Sequence, residues 1–318
     1  MLCRWENELQ KPINDTLCDR KERTEPHYLR TKMAGNDAHF PNILPPTPRR
    51  MDSHEARNLS VHIKDSFSLT ALFTIGAITQ LVLFLLFPAQ YAIVPFSACA
   101  LISAISTLFE LRSGKTYPKG VIPGQVTAQM VDPTTGKIPA VPASQSLVVF
   151  HLGVRFNHTL GLISPGAPGV VKHFDAMNAD LLKRADEYGL YHFSNWKGAE
   201  SDRNNTLLMM YYFRNVDGLN RFAHDTLHRN TWKWFNSIKE DHKHIGIFHE
   251  TFVTSAQQYE TIYENMPPVL LGAASVASTN EITKEKTWVN TLVDADVKPL
   301  RTQLRRMGKY YRPAVGRD

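Results

Sequence analysis

Between Phe222 and Thr251 the chain places five histidines (His224, His228, His242, His244 and His249) and two tryptophans, Trp232 and Trp234. Imidazole titrates near neutrality, so such a cluster suits proton transfer or metal ligation. His249 stands in an alternating run. Ile245, Ile247, His249, Thr251 and Val253 share one face, and Phe248, Glu250 and Phe252 share the other. Both faces are largely apolar, so both are expected to be covered, leaving an imidazole and a carboxylate partly buried. A group in that position needs a partner or a task. His249 is therefore a candidate base; the competing reading is a core histidine bonded to a neighbouring strand. Glu250 points the opposite way, toward an arginine or a subunit seam.

His224 and His228 lie four apart, the helical spacing for two ligands on one metal. They do not form a His-Glu-x-x-His motif, no third ligand is evident, and both fall off the Leu219/Phe222/Thr226 stripe, so no metal site is expected. Trp232, Trp234 and Phe235 read as core or membrane-proximal aromatics, or as a stacking surface. His242 and His244, flanked by Asp241 and Lys243, read as solvated loop positions.

The elements that must position these groups follow from patterning. Val148, Phe150, Leu152, Val154 and Phe156 alternate with Val149, His151, Gly153, Arg155 and Asn157, giving a strand with one oily and one semi-polar face. Phe174, Met177, Leu181, Leu182 and Ala185 fall at helical spacing, with Gly189 as the stop. Tyr191 to Trp196 and Leu207 to Phe213 read as strands. A second helix opens at Val216 and continues or kinks through Trp234, and Ile245 to Val253 closes the set. That order, βαββαβ, is the ferredoxin-like repeat of an α+β fold. Its helices cover one sheet face, so the other needs covering, and a homodimer through the sheets is the expected solution.

Two runs, Phe67 to Phe87 and Tyr91 to Phe109, are each long and uncharged enough to cross a hydrocarbon core of about 30 Å. Arg49, Arg50, Arg57 and Lys64 precede the pair, Arg112, Lys115 and Lys119 follow it, and the connection has no basic residue. A transmembrane hairpin with both termini cytosolic is therefore expected, with the endoplasmic reticulum as the membrane. The expected organisation is a disordered segment over 1–65, the hairpin over 66–110, a Pro/Gly/Thr-rich linker over 111–145, a catalytic domain over 146–272 and a basic tail over 273–318. The tail's Arg301, Arg305, Arg306, Lys309, Arg312 and Arg317 are either solvated or drawn to anionic headgroups. Net charge is +6, but no aromatic-interleaved basic strand points to nucleic acid. Cys3, Cys18 and Cys99 are the only cysteines, and none is near the histidine cluster, which argues against a disulfide framework or a thiolate metal site there.

Five blocks carry a family resemblance: His151 to Asn157, Tyr212-Phe213-Arg214, Phe222-Ala223 with His228-Arg229 and Trp232, Gly246 to Thr251, and Tyr259 to Pro268. Together they resemble the fungal antibiotic-biosynthesis-monooxygenase-like family typified by the fumagillin-pathway enzyme, within the dimeric α+β barrel superfamily, over about residues 146–272. The family usually has Tyr-Trp-Arg-Ser where this chain has Tyr212-Phe213-Arg214-Asn215. The resemblance implies a monooxygenase acting on a small lipophilic secondary metabolite, such as a terpenoid or polyketide. It implies O2 as co-substrate, no metal or flavin, and electrons drawn from a substrate carbanion. Haem remains an alternative cofactor, making the chain a dehydratase or peroxidase-like catalyst; a non-catalytic binding protein tethered in a pathway is the third reading. On the monooxygenase reading His249 is the base and Arg155 the anion stabiliser, with a plain ion pair as the alternative for Arg155. His228 and Tyr263 shape the pocket, and His151, Asn157, Tyr212, Arg214 and Trp232 contact substrate.

Overall fold

The largest sheet among the described residues is four-stranded and antiparallel, in the order β5-β6-β4-β7: Leu190–Lys197, Thr206–Phe213, Leu147–Phe156 and Ile245–Thr254. In the computed structural model, residues 39–50, 68–115, 117, 120–198, 206–279 and 285–309 are described. Strand and helix order make the sheet a ferredoxin-like βαββαβ unit, so the fold is α+β. Val148, Phe150, Leu152 and Val154 of β4 pack under the helices with Met209, Tyr211 and Phe213 of β6. Tyr211 is wholly enclosed there, and its hydroxyl donates to Asn178 Oδ1 at 2.7 Å, so no polar atom of its ring is stranded.

Three helices cover this face. Ala167–Lys183 (α3) turns Val170, Phe174, Met177 and Leu181 inward at helical spacing. Val216–Ala223 (α4) and Thr226–Ile238 (α5) are separate helices, not one kinked helix. The break has a local cause. Asp225 adopts an extended conformation and its carboxylate accepts the Leu227 amide at 2.9 Å, which starts a new helix. That amide, with Arg184 behind it, holds the Asp225 carboxyl below the ordinary carboxylate range. Arg184 reaches Asp225 at 2.9 Å and Glu187 at 2.6 Å, joining the end of α3 to the start of α5.

The opposite sheet face is partly covered by the same chain, where a second copy was expected. Residues 120–145, expected as a linker, form β2 (Ile122–Ala128) and β3 (Ile138–Pro139). β2 pairs with β8 (Tyr263–Met266) and β11 (Leu292–Asp294), beside the β9/β10 pair (Ser275–Thr279 with Lys286–Asn290). This second layer buries Leu147, Tyr191 and Tyr212 against Met130, Val131, Leu271 and Val293. Residues expected to be disordered also join it: β1 (His39–Phe40) pairs with β3, and Arg50 donates to the Tyr191 carbonyl at 2.7 Å. Arg306, expected in a solvated tail, is buried and paired with Glu260 at 2.7 Å. Residues 1–38 and 310–318 lie outside the described residues.

Leu69–Leu86 (α1) and Val94–Arg112 (α2) lie in segments long and apolar enough to cross a membrane by length and composition, and their side chains are exposed nearly throughout. Gln80 Nε2 donates to the Ala92 carbonyl at 3.3 Å across the connection.

Candidate functional site

A pocket of about 750 Å3 opens between the sheet and the helices. Phe150 and Leu152 of β4 and Ile247, His249 and Thr251 of β7 form its floor. The register that sets Leu152 opposite His249 gives these side chains one common face. His173, Phe174 and Met177 of α3, Leu219 and Ala223 of α4, and residues 228, 229 and 231–235 of α5 supply the walls. The lining surface is mainly apolar and aromatic, interrupted by imidazoles, two threonines, Asn220 and the cations Arg229 and Lys233, a mixture suited to a small-molecule chamber.

Three imidazoles reach the pocket: His173, His228 and His249. His249 lies 5.9 Å from the Phe150 ring, centroid to centroid. It is exposed, where partial burial was expected, because β7 is the sheet's edge strand and residues 248–253 stand open to solvent. His228 is half-buried against Phe222. Burial holds its imidazole below the ordinary histidine range, so its neutral form prevails at neutral pH. The helix break rotates His228 inward while His224, on the other side of it, stays exposed. Among the described residues, no cluster of three or more potential ligands is placed to hold a metal ion. His173 was missed in the sequence. It packs against Trp234 with 4.1 Å between centroids and the rings tilted by 33°, and its Nδ1 is 3.5 Å from Thr231 Oγ1. The signal was available: Val170, His173, Phe174 and Met177 form one helical stripe, with an imidazole in an apolar position.

Of the residues expected at the site, the pocket gathers His249, His228 and Trp232. Arg155 is on the far side of the sheet, donating to Asn157 Oδ1 at 2.9 Å and Thr206 Oγ1 at 3.1 Å. It cannot stabilise an anion in this chamber, and Asn157 is occupied with it. His151 is on that side too, 3.6 Å from Glu250 and edge-on to Phe252, so within the chain Glu250 meets a histidine, where an arginine or a subunit seam was expected. Tyr212 is buried in the second layer, and Arg214 sits beside the Tyr191 hydroxyl. Tyr263 is also in that layer; its hydroxyl accepts the Gly272 amide at 3.0 Å, and burial pushes it up to about 12. None of these side chains lines the pocket.

The model for the monooxygenase af470-like family matches residues 147–271. Monooxygenase af470 of Aspergillus fumigatus is 38% identical over 271 residues, covering 84% of this chain and 97% of that protein. The chain belongs to the monooxygenase af470-like family. Every residue lining the pocket falls inside the stretch matched by the family model, and β2 and β9–β11 of the second layer fall outside it. Solved structures matched by the chain include SnoaB, a cofactor-independent oxygenase from Streptomyces nogalater, 10% identical over 33% of this chain and 90% of that one, with a TM-score of 0.24. An aldoxime dehydratase in complex with butyraldoxime is 16% identical over 62% of this chain and 47% of that one, with a TM-score of 0.35.

Proposed function

We propose that this member of the af470-like family is a membrane-anchored monooxygenase that oxidises a small lipophilic metabolite in the pocket between sheet and helices. One observation supports this above the rest: an apolar chamber of about 750 Å3 whose walls present His173, His228 and His249. His249 removes a proton from a carbon acidified by neighbouring unsaturation. The carbanion's electrons reduce O2 and a carbon–oxygen bond forms, giving a peroxide. Cleavage of the O–O bond, with loss of the second proton from that carbon, leaves a carbonyl and releases water. The balance is CH2 + O2 to C=O + H2O, so the substrate supplies all the electrons. His228, held neutral by burial, is the second group able to accept or return a proton. Asn220 and Thr251, which also line the chamber, replace Arg155 as donors or acceptors for oxygen intermediates.

The exposed apolar helices α1 and α2 support anchoring by a hairpin, with the basic flanks on the cytosolic side. A lipophilic substrate concentrates in the bilayer, so anchoring raises its supply to the pocket. A second copy of the chain belongs on β7, where Phe248 (42% exposed), Phe252 (49%) and Val253 (65%) are open beside a strand edge unpaired among the described residues. The full chain is then expected to sediment at twice its mass, and the double substitution Phe248→Glu, Phe252→Glu to halve that value. A monomeric wild type removes the dimer.

The same chamber offers imidazoles to a haem, which is the second reading. One experiment separates the two. Metabolites that accumulate when the gene is deleted are fed to the purified full chain under 18O2. Monooxygenation places one labelled oxygen in the product, with no Soret band from the protein. No label in any product ends the monooxygenase reading, and a stoichiometric Soret band establishes haem.

A further inference from the structure

The mouth of the pocket bears charge that the proposed oxidation does not use. Arg229, Trp232 and Lys233 stand at i, i+3 and i+4 on α5, so they share one side of that helix. All three line the pocket and all three are exposed, Trp232 at 52%. Among the described residues neither the Arg229 guanidinium nor the Lys233 ammonium has a carboxylate at ion-pair distance, whereas Arg184 in the same helical layer is held by three. The chamber below them is oily, floored by Phe150, Leu152 and Ile247. A hydrocarbon ligand would fill that floor and gain nothing from two cations at the opening. A ligand with an apolar body and an anionic end would satisfy both regions, the anion accepting charge-assisted hydrogen bonds while the body displaces water.

We propose that Arg229 and Lys233 bind the anionic group, a carboxylate or phosphate ester, of an amphiphilic substrate whose apolar body occupies the pocket, with Trp232 covering the junction. This rests on the reading of the pocket as the substrate chamber. An anionic lipid headgroup presents the same chemistry to the rim, and the test is arranged to tell the two apart.

The full chain is placed in phosphatidylcholine nanodiscs and offered a diazirine-bearing hexadecanoic acid or its methyl ester, and cross-linked peptides are mapped by mass spectrometry. Both probes carry the same chain, and only the acid is anionic. The acid is expected to label peptides within residues 147–183 and 215–254 about tenfold more than the ester. R229Q with K233Q, both at exposed positions, is expected to bring acid labelling down to the ester's level and leave the ester unchanged. The charge-retaining pair R229K and K233R is expected to restore it. Equal labelling of wild type by acid and ester, or no response to the double substitution, overturns the anionic rim while leaving the chamber intact. Failure of both probes to label these peptides overturns the chamber itself. Loss of acid labelling when phosphatidylserine replaces part of the phosphatidylcholine assigns the rim to a headgroup and overturns its part in selecting substrate.

Discussion

Replacing His249 with alanine is expected to lower kcat by about 10²- to 10⁴-fold, the usual contribution of a positioned general base. The side chain is exposed on an edge strand, and its removal strands no polar partner among the described residues, so stability should change by no more than about 0.5 kcal/mol. Far-UV circular dichroism and membrane association are therefore expected to match wild type. The substrate should still bind, because Phe150, Leu152 and Ile247 form the floor without the imidazole. The loss then falls on kcat and not on KM. His224→Ala is the control, since His224 is exposed outside the pocket, and that variant should turn over normally. Undiminished turnover by His249→Ala removes the base from the mechanism. An equal loss in His224→Ala would show that the effect is not specific to the pocket.

The sequence makes some of this site readable and hides the rest for identifiable reasons. Alternation in β4 and β7 sorts each strand's residues correctly into two faces, which the contacts of Val154, Phe156, Ile245 and Ile247 bear out. Alternation alone does not say which face of one strand meets which face of the next. That depends on register, and only the pairing of Leu152 with His249 puts the oily side of β4 and the histidine of β7 in the same chamber. Arg155 belongs to the semi-polar face in sequence as in structure, and its expected role rests on what a guanidinium can do for an anion, which does not say on which side of the sheet the chamber lies. The separation of α4 from α5 was within reach, since Asp225 ahead of Leu227 is a helix-start signal, and it decides which of two histidines turns inward. The second layer was out of reach. β2 contains Pro123 and Gly124, its register shifts between Ile122 and Gln125, and its partner strands begin far along the chain, at Tyr263, which faces Val126, and at Leu292, which faces Ala128. Local patterning does not register pairings at that separation.

Substituting Gly218 with alanine is expected to destabilise the domain by about 2–3 kcal/mol, the cost of forcing extra volume into a close-packed site. A Cβ placed there would lie 1.9 Å from the Tyr188 carbonyl oxygen, far inside contact distance. The obstacle is backbone at a tight turn. Tyr188 is buried, Gly189 follows in a left-handed conformation with φ of 65°, and the Gly189 carbonyl accepts the Arg214 amide at 2.8 Å. The turn cannot move without breaking the connection into β5, so α4 must lift instead. Lifting it also strains the cap in which Asn215 Oδ1 accepts the Gly218 amide at 2.9 Å. α4 brings Leu219 and Phe222 to the core, and Leu219, Asn220 and Ala223 to the pocket, so the displacement should weaken substrate binding as well. For a domain of this size the melting temperature should fall by roughly 4–12 °C. Gly246→Ala is the comparison: a Cβ there meets its nearest neighbour, Asn157 Nδ2, at 3.7 Å, an ordinary contact, and the melting temperature should stay close to wild type. Equal melting temperatures for Gly218→Ala and wild type would mean that α4 is not seated on the Tyr188 turn, and the wall it gives the pocket would have to be redrawn.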